Sequence, residues 1–163
     1  YLRDSLGVHN FIYAFSPDNK FKTESQFLER YPGDEWVDMV GMDNYGDMGR
    51  NRYDLDTAAL KLKIVSDYAL KAGKLAACTE TGLESIPNTA WWTGTLLTVM
   101  RKYDIQLAYA LVWRNDIRSA THYYAPFPGH ASVPDFILFY DDPYTLFEKD
   151  LKNIYRKRKV VRR

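Results

Sequence analysis

The residues Ala76-Ala77-Cys78-Thr79-Glu80-Thr81-Gly82 lead a short apolar run up to one carboxylate and close it with a glycine. A run of small and apolar residues of this length reads as a buried strand, with Glu80 at its C-terminal tip. A carboxylate so placed can act as a nucleophile or as an acid–base group, depending on which protonation state its surroundings favour. A nucleophilic carboxylate must be ionised, which calls for hydrogen-bond donors and positive charge close by. Tyr45, after one strand-like run, and Arg114, after another, supply those types. The plainer alternative is that a Glu before Thr-Gly merely caps a loop.

Other chemistries find little support. His122 and His130 have no metal-ligand spacing with other His, Cys or carboxylates, and no phosphate-cradling glycine motif occurs. Neither a metal nor a cofactor is expected. The lone Cys78 cannot form an internal disulfide and leaves the redox compartment open; its apolar neighbours favour a buried structural thiol. No stretch approaches the roughly 18 apolar residues of a membrane span, and no signal peptide is visible. The net charge of +1 conceals a strong bias, because six of the last eight residues are Lys or Arg. The acidic remainder argues against nucleic acid as the main ligand. The basic tail, residues 156–163, reads as a solvated chain end, with nucleic acid or an anionic membrane as the alternative. The 13 Tyr, 8 Phe and 4 Trp exceed what a core alone asks for; some of them fall among polar residues after strands, where a flat face with a polar rim suits a sugar ring.

These residues need elements to hold them. Strands are expected over 10–15, 37–42, 74–79 and 106–112, with a short helix at 1–6 ended by Gly7. A helix is expected over 23–31, capped by Thr23. The clearest spans 55–72, where Leu55, Ala58, Ala59, Leu62, Val65, Ala69 and Ala72 recur every three or four residues; Asp54 or Asp56 is its cap. Another runs from Asn88 or Thr89 to Tyr103, with Trp92, Leu96, Val99 or Met100, and Tyr103 on one face. A short helix follows Ser132. A last one is expected with Asp142 as cap, Pro143 at its first position, and Phe147, Leu151, Ile154 and Tyr155 on its inner face.

Near-continuous apolar strands alternating with amphipathic helices predict an α/β fold with a parallel sheet. Polar and aromatic clusters follow all the strands: Ser16-Pro17-Asp18, Asp43-Asn44-Tyr45, Thr79-Glu80-Thr81 and Trp113-Arg114-Asn115. The turns at the opposite ends look merely structural. This one-sided pattern is that of a (β/α)8 TIM barrel with its site at the C-terminal strand ends, but a whole barrel takes about 250 residues and this chain has 163.

Taken in order, Phe27-Leu-Glu-Arg-Tyr-Pro-Gly-Asp34, Gly41-Met-Asp-Asn-Tyr-Gly46, Thr79-Glu-Thr-Gly-Leu-Glu-Ser85, Val112-Trp-Arg-Asn115 and His122-Tyr-Tyr-Ala-Pro-Phe-Pro-Gly-His130 resemble glycoside hydrolase family 26, whose main members are endo-β-1,4-mannanases. The resemblance runs to about residue 155. It implies that residues 1–155 are the last four βα units of the catalytic barrel, a half-barrel, with Glu80 as nucleophile. It further implies that Tyr45 holds Glu80, that Asp43 orders the site, that Trp113 floors the subsite of cleavage and that Arg114 bonds the next sugar. Tyr123 and Tyr124 are expected as outer-cleft aromatics. The implied partners are mannan or manno-oligosaccharides; the implied location is secreted, periplasmic or cell-surface.

Retaining glycosidases need two carboxyl groups about 5–5.5 Å apart. The resemblance places the family's acid–base Glu after a His at the end of the fourth barrel strand, expected before Tyr1, and this sequence has no His-Glu pair. Glu84, Asp43 and Asp116 are poor substitutes. Three alternatives remain open: a non-catalytic carbohydrate-binding or pseudoenzyme chain, or a β-glucanase or a β-1,3-xylanase within the family. Four strands of an eight-stranded barrel also leave open edges, so self-association or a missing N-terminal half is expected.

Overall fold

The computed structural model describes residues 1–151. The expected basic tail and the inner-face residues Ile154 and Tyr155 lie outside these residues. Four strands form one parallel sheet in chain order: β1 (Ala14–Phe15), β2 (Met39–Asn44), β3 (Leu75–Thr81) and β4 (Tyr109–Val112). Helix α1 (Leu2–Leu6) precedes β1, α2 (Glu24–Phe27) precedes β2, and α3 (Leu55–Ala72) joins β2 to β3. Between β3 and β4 a π-helical segment, Trp92–Leu97, runs into α4 (Thr98–Arg101); α5 (Val133–Tyr140) follows β4.

The strands are shifted from expectation in one direction. Strand β2 continues through Asp43 and Asn44, and β3 through Glu80 and Thr81, so two of the expected strand-tip clusters lie inside the ladder. Strand β1 pairs only at Ala14 and Phe15, although residues 10–13 are apolar enough for more. Its neighbour β2 is engaged there through a turn instead: Tyr13 O accepts from the backbone N–H groups of Asp38 and Met39.

Helix α3 forms where the apolar stripe predicted it. Asp54 accepts from Thr57 N–H at 3.1 Å as its cap. Ala58, Ala59, Leu62, Val65 and Ala69 are buried and share one core with Val40, Met42, Ala76 and Cys78 on the outer face of the sheet. The next helix departs from the reading in three ways. It starts later, and its free N–H groups at Trp92 and Thr93 are capped from afar by Asp135 of α5, at 2.9 and 3.2 Å. Its first turns are π-helical. It ends at Arg101, because Tyr103 takes a left-handed conformation and turns outward.

The expected helix at Asp142-Pro143 does not form over 143–147. Asp142 instead accepts from Tyr144 N–H at 2.9 Å, a local turn, and pairs with Arg101. Among the described residues, a 3-10 turn at Glu148–Leu151 follows. Phe147 still packs inward, against Phe136, Phe139 and Tyr140.

Candidate active site

Glu80 owes its orientation to a β-bulge. Met42 pairs with Cys78 but Asp43 pairs with Glu80, and on the other side Cys78 pairs with Ala110 and Thr81 with Val112. Thr79 is therefore an extra residue relative to both neighbours. Strict alternation from the core residue Cys78 would turn Glu80 back toward the helices. The bulge instead puts Thr79 and Glu80 on the same inner side, and Thr81 rejoins the buried outer face beside Asn44.

On that inner side, Tyr45 Oη donates to Glu80 Oε2 at 3.0 Å. Burial first, then this hydrogen bond, pushes the Tyr45 phenol well above its ordinary range, so the phenol is a fixed donor. Thr79 Oγ1 donates to Asp43 Oδ1 at 3.0 Å, and Ser16 Oγ reaches the same oxygen at 3.2 Å. The space for Thr79 comes from Gly41: a Cβ there would lie 2.5 Å from Thr79 Cγ2. One carboxylate thus has its phenol donor and the neighbouring one has two hydroxyls, all at the C-terminal ends of β1, β2 and β3.

The loops after β3 and β4 are tied together. Asn115 Oδ1 accepts from Tyr124 and Ala125 N–H at 2.8 and 2.9 Å, and its amide donates to Ala125 O at 3.0 Å. His122 Nδ1 meets Glu84 Oε1 at 2.8 Å, and Ser85 N–H donates to Tyr123 O at 2.8 Å. This brings the Tyr124 ring over Gly82 and edge-on to Tyr45, with 6.0 Å between ring centroids. Gly82 has φ +139° and an added Cβ would meet Tyr124 Cδ1 at 2.5 Å. Glycine is required there both for space and for backbone.

The sequence-predicted residues fall into three groups. Asp43, Tyr45, Glu80 and Tyr124 are brought together. Trp113 and Arg114 follow β4 at the same end of the sheet; Trp113 N–H donates to Thr81 O at 3.0 Å, and Arg114, 56 % exposed, lies 3.5 Å from Asp116. Asp116 is held by Arg118 to about 2, well below the usual carboxylate range. Tyr123 is turned away, packing on Phe127 and His130. Tyr124 is only 8 % exposed, a wall behind Tyr45 more than an open platform. Sequence reasoning missed Ser16, Thr79, Asn115 and the buried Asp47, Thr81 and Trp91. Trp91 Nε1 donates to Met48 O at 2.7 Å, and Thr81 Oγ1 to Asn44 O at 2.8 Å. Only Thr81, a polar residue in an apolar strand run, carried a signal that sequence could have used; Ser16 and Asn115 are exposed and Asp47 lies in a turn.

A parallel sheet with helices on its outer face and carboxylates at its C-terminal strand ends is the architecture of a barrel hydrolase. Comparison with known proteins gives the family: the model of glycosyl hydrolase family 26 matches residues 1–123. The chain belongs to that family. It is 44% identical over 87 residues to a mannan endo-1,4-beta-mannosidase of Bifidobacterium adolescentis, an alignment covering 50% of this chain and 9% of that protein. The solved structure of GH26C from Muricauda sp. superposes with a TM-score of 0.87 at 39% identity, covering 96% of this chain and 42% of that one. A GH26 beta-mannanase from Bacteroides ovatus gives 0.81 at 45% identity, covering 88% of this chain and 41% of its own. The chain therefore spans well under half the length of these relatives, and its fold is a half-barrel, four βα units of a (β/α)8 barrel.

Proposed function

We propose that this chain is the nucleophile half of a retaining β-1,4-mannanase, carrying the last four βα units, with Glu80 as nucleophile. The single observation behind this reading is the 3.0 Å hydrogen bond from Tyr45 Oη to Glu80 Oε2 at the C-terminal ends of β2 and β3, in a family 26 chain. In this mechanism Glu80 attacks the anomeric carbon as the glycosidic C–O bond breaks, the leaving sugar oxygen takes a proton from the acid, and water then cleaves the resulting glycosyl ester to free the sugar and Glu80. Tyr45 holds the attacking carboxylate, and Asp43, fixed by Thr79 and Ser16, orders the adjacent strand end. Trp113 offers the sugar a flat floor and Arg114 a donor for its hydroxyls; Tyr124 forms the wall behind Tyr45. The proton donor of the first step comes from outside these residues, since the sequence contains no His-Glu pair. A polymeric substrate suits a protein that is secreted or displayed at the periplasm or cell surface.

In the full-length protein, Glu80→Ala is expected to abolish mannan hydrolysis, while the exposed control Glu29→Ala keeps it. Unchanged mannan hydrolysis by Glu80→Ala would sink the reading. Assays on mannan, mixed-linkage β-glucan and β-1,3-xylan separate the substrate choices within the family. The absent His-Glu pair also favours a second reading, a carbohydrate-binding chain without turnover. Calorimetric binding of manno-oligosaccharide with no product formed is its signature.

A further inference from the structure

The loop that delivers Tyr45 stands on a buried ionic cluster that the proposed reaction does not use. Asp47, two residues beyond Tyr45, is 2 % exposed. Its carboxylate accepts from Lys61 Nζ at 2.7 Å, from Arg52 Nη2 and Nε at 2.7 and 3.1 Å, from Asn19 Nδ2 at 3.0 Å and from Asn44 Nδ2 at 3.3 Å. Lys61 interrupts the apolar face of α3, and its side chain is only 7 % exposed. Four parts of the chain converge here: the loop after β1, strand β2, the 45–53 loop itself and α3.

The cluster brackets Tyr45. Asn44, just before it, accepts from Asp47 N–H at 3.2 Å and from Asn19 Nδ2 at 2.6 Å through Oδ1. Tyr45 O closes the turn by accepting from Met48 and Arg50 N–H at 3.3 and 3.1 Å. A buried carboxylate and a buried ammonium are tolerated only while each is paired. Any shift of residues 44–47 strands both charges, so alternative loop positions are disfavoured far more than loss of packing alone would disfavour them.

We infer that Asp47 and Lys61 are a positioning pair that fixes the Tyr45 phenol against Glu80. The pair touches neither substrate nor the reacting atoms and acts only through Tyr45. This inference rests on the proposed role of Glu80.

The test is a mutant cycle in the full-length protein on mannan. Asp47→Asn with Lys61→Met removes both buried charges together and leaves the exposed Arg52 with Asp54 at 3.6 Å. It is expected to lower kcat about tenfold, as misplacement of a catalytic contact does, with KM within about twofold. Tyr45→Phe lowers kcat at least as much. Combined with Tyr45→Phe, the pair is expected to add less than about a further twofold, because its effect is already spent. A purely structural role would not vanish in the Tyr45→Phe background. Arg52→Met, which removes an exposed partner and leaves the buried pair, is expected to lower kcat about threefold and to be equally silent behind Tyr45→Phe; it decides the question if the paired variant does not fold. Wild-type kcat in a folded Asp47→Asn/Lys61→Met protein, or deficits that multiply with Tyr45→Phe, would overturn the positioning pair alone. Full activity in Glu80→Ala would remove the nucleophile and this inference with it.

Discussion

The Tyr45–Glu80 contact is a neutral donor serving a carboxylate, and hydrogen bonds to charged groups are worth about 1.5–3 kcal/mol. Tyr45→Phe should therefore reduce kcat on mannan by at least about tenfold with the fold intact, which steady-state kinetics and circular dichroism would check together. Gly82 is the other sensitive position, since Gly82→Ala must strain a positive-φ backbone and push Tyr124 aside. The expected loss is about 1–3 kcal/mol, read as a shift of the urea midpoint. Cys78 is the opposite case: burial pushes its thiol up to about 12. A thiol-specific reagent at pH 8 should leave it unmodified until denaturant is added.

At the scale of elements, the parallel βα order, helix α3 with Asp54 or Asp56 as its cap and the gathering of polar residues toward the C-terminal strand ends were legible, because periodicity reports burial directly. Leu62 is fully buried on the α3 face, so Leu62→Ala should cost about 2–5 kcal/mol. What the sequence hid was tertiary. The cap at Trp92 comes from Asp135, far along the chain, and the helix at 143–147 lost to a turn closed by the Asp142 side chain. The bulge at Thr79 was illegible because a two-residue period cannot announce its own exception. The Asp47 cluster was equally hidden, since Lys61 and Asp47 gain their meaning only from each other. Burial raises the Asp47 pKa, but hydrogen bonds from Lys61 and Arg52 outweigh it and leave the carboxyl below its ordinary value. A depressed folded pKa gives stability that is complete above the unfolded value near 3.9 and lost as pH falls through the folded one. Urea midpoints measured from pH 5 to pH 2 should fall more steeply for the wild type than for Asp47→Asn/Lys61→Met. Breaking the pair on one side only, as in Lys61→Met, should cost about 3–5 kcal/mol at neutral pH.

The described residues form an open sheet. Phe11 and Ile12 beside β1 are 55 % and 64 % exposed, and Tyr109 and Leu111 of β4 are 41 % and 40 % exposed. Both outer strands offer unpaired backbone groups beside apolar side chains, a combination that favours pairing with another chain. The isolated 163-residue polypeptide is expected to self-associate in light scattering after gel filtration, and Ile12→Lys with Leu111→Lys should reduce that association. A monodisperse monomer of the unmutated chain would contradict this. The same openness means that these residues, purified alone, are expected to show no mannan hydrolysis.

The extra residue in β3 also sets which changes of length the strand can absorb. Deleting Thr79 leaves Met42–Cys78 and Asp43–Glu80 as consecutive rungs, so Glu80 stays inward while Asp43 and Ser16 lose the Thr79 hydroxyl. Deleting Ala77 instead either turns Cys78 inward and Thr79 into the helix-facing core, or, with Cys78 kept in place, reverses Leu75 and Ala76. A shortened β3 thus has one tolerated cut, and homologues that differ in length there are expected to differ at the position of Thr79.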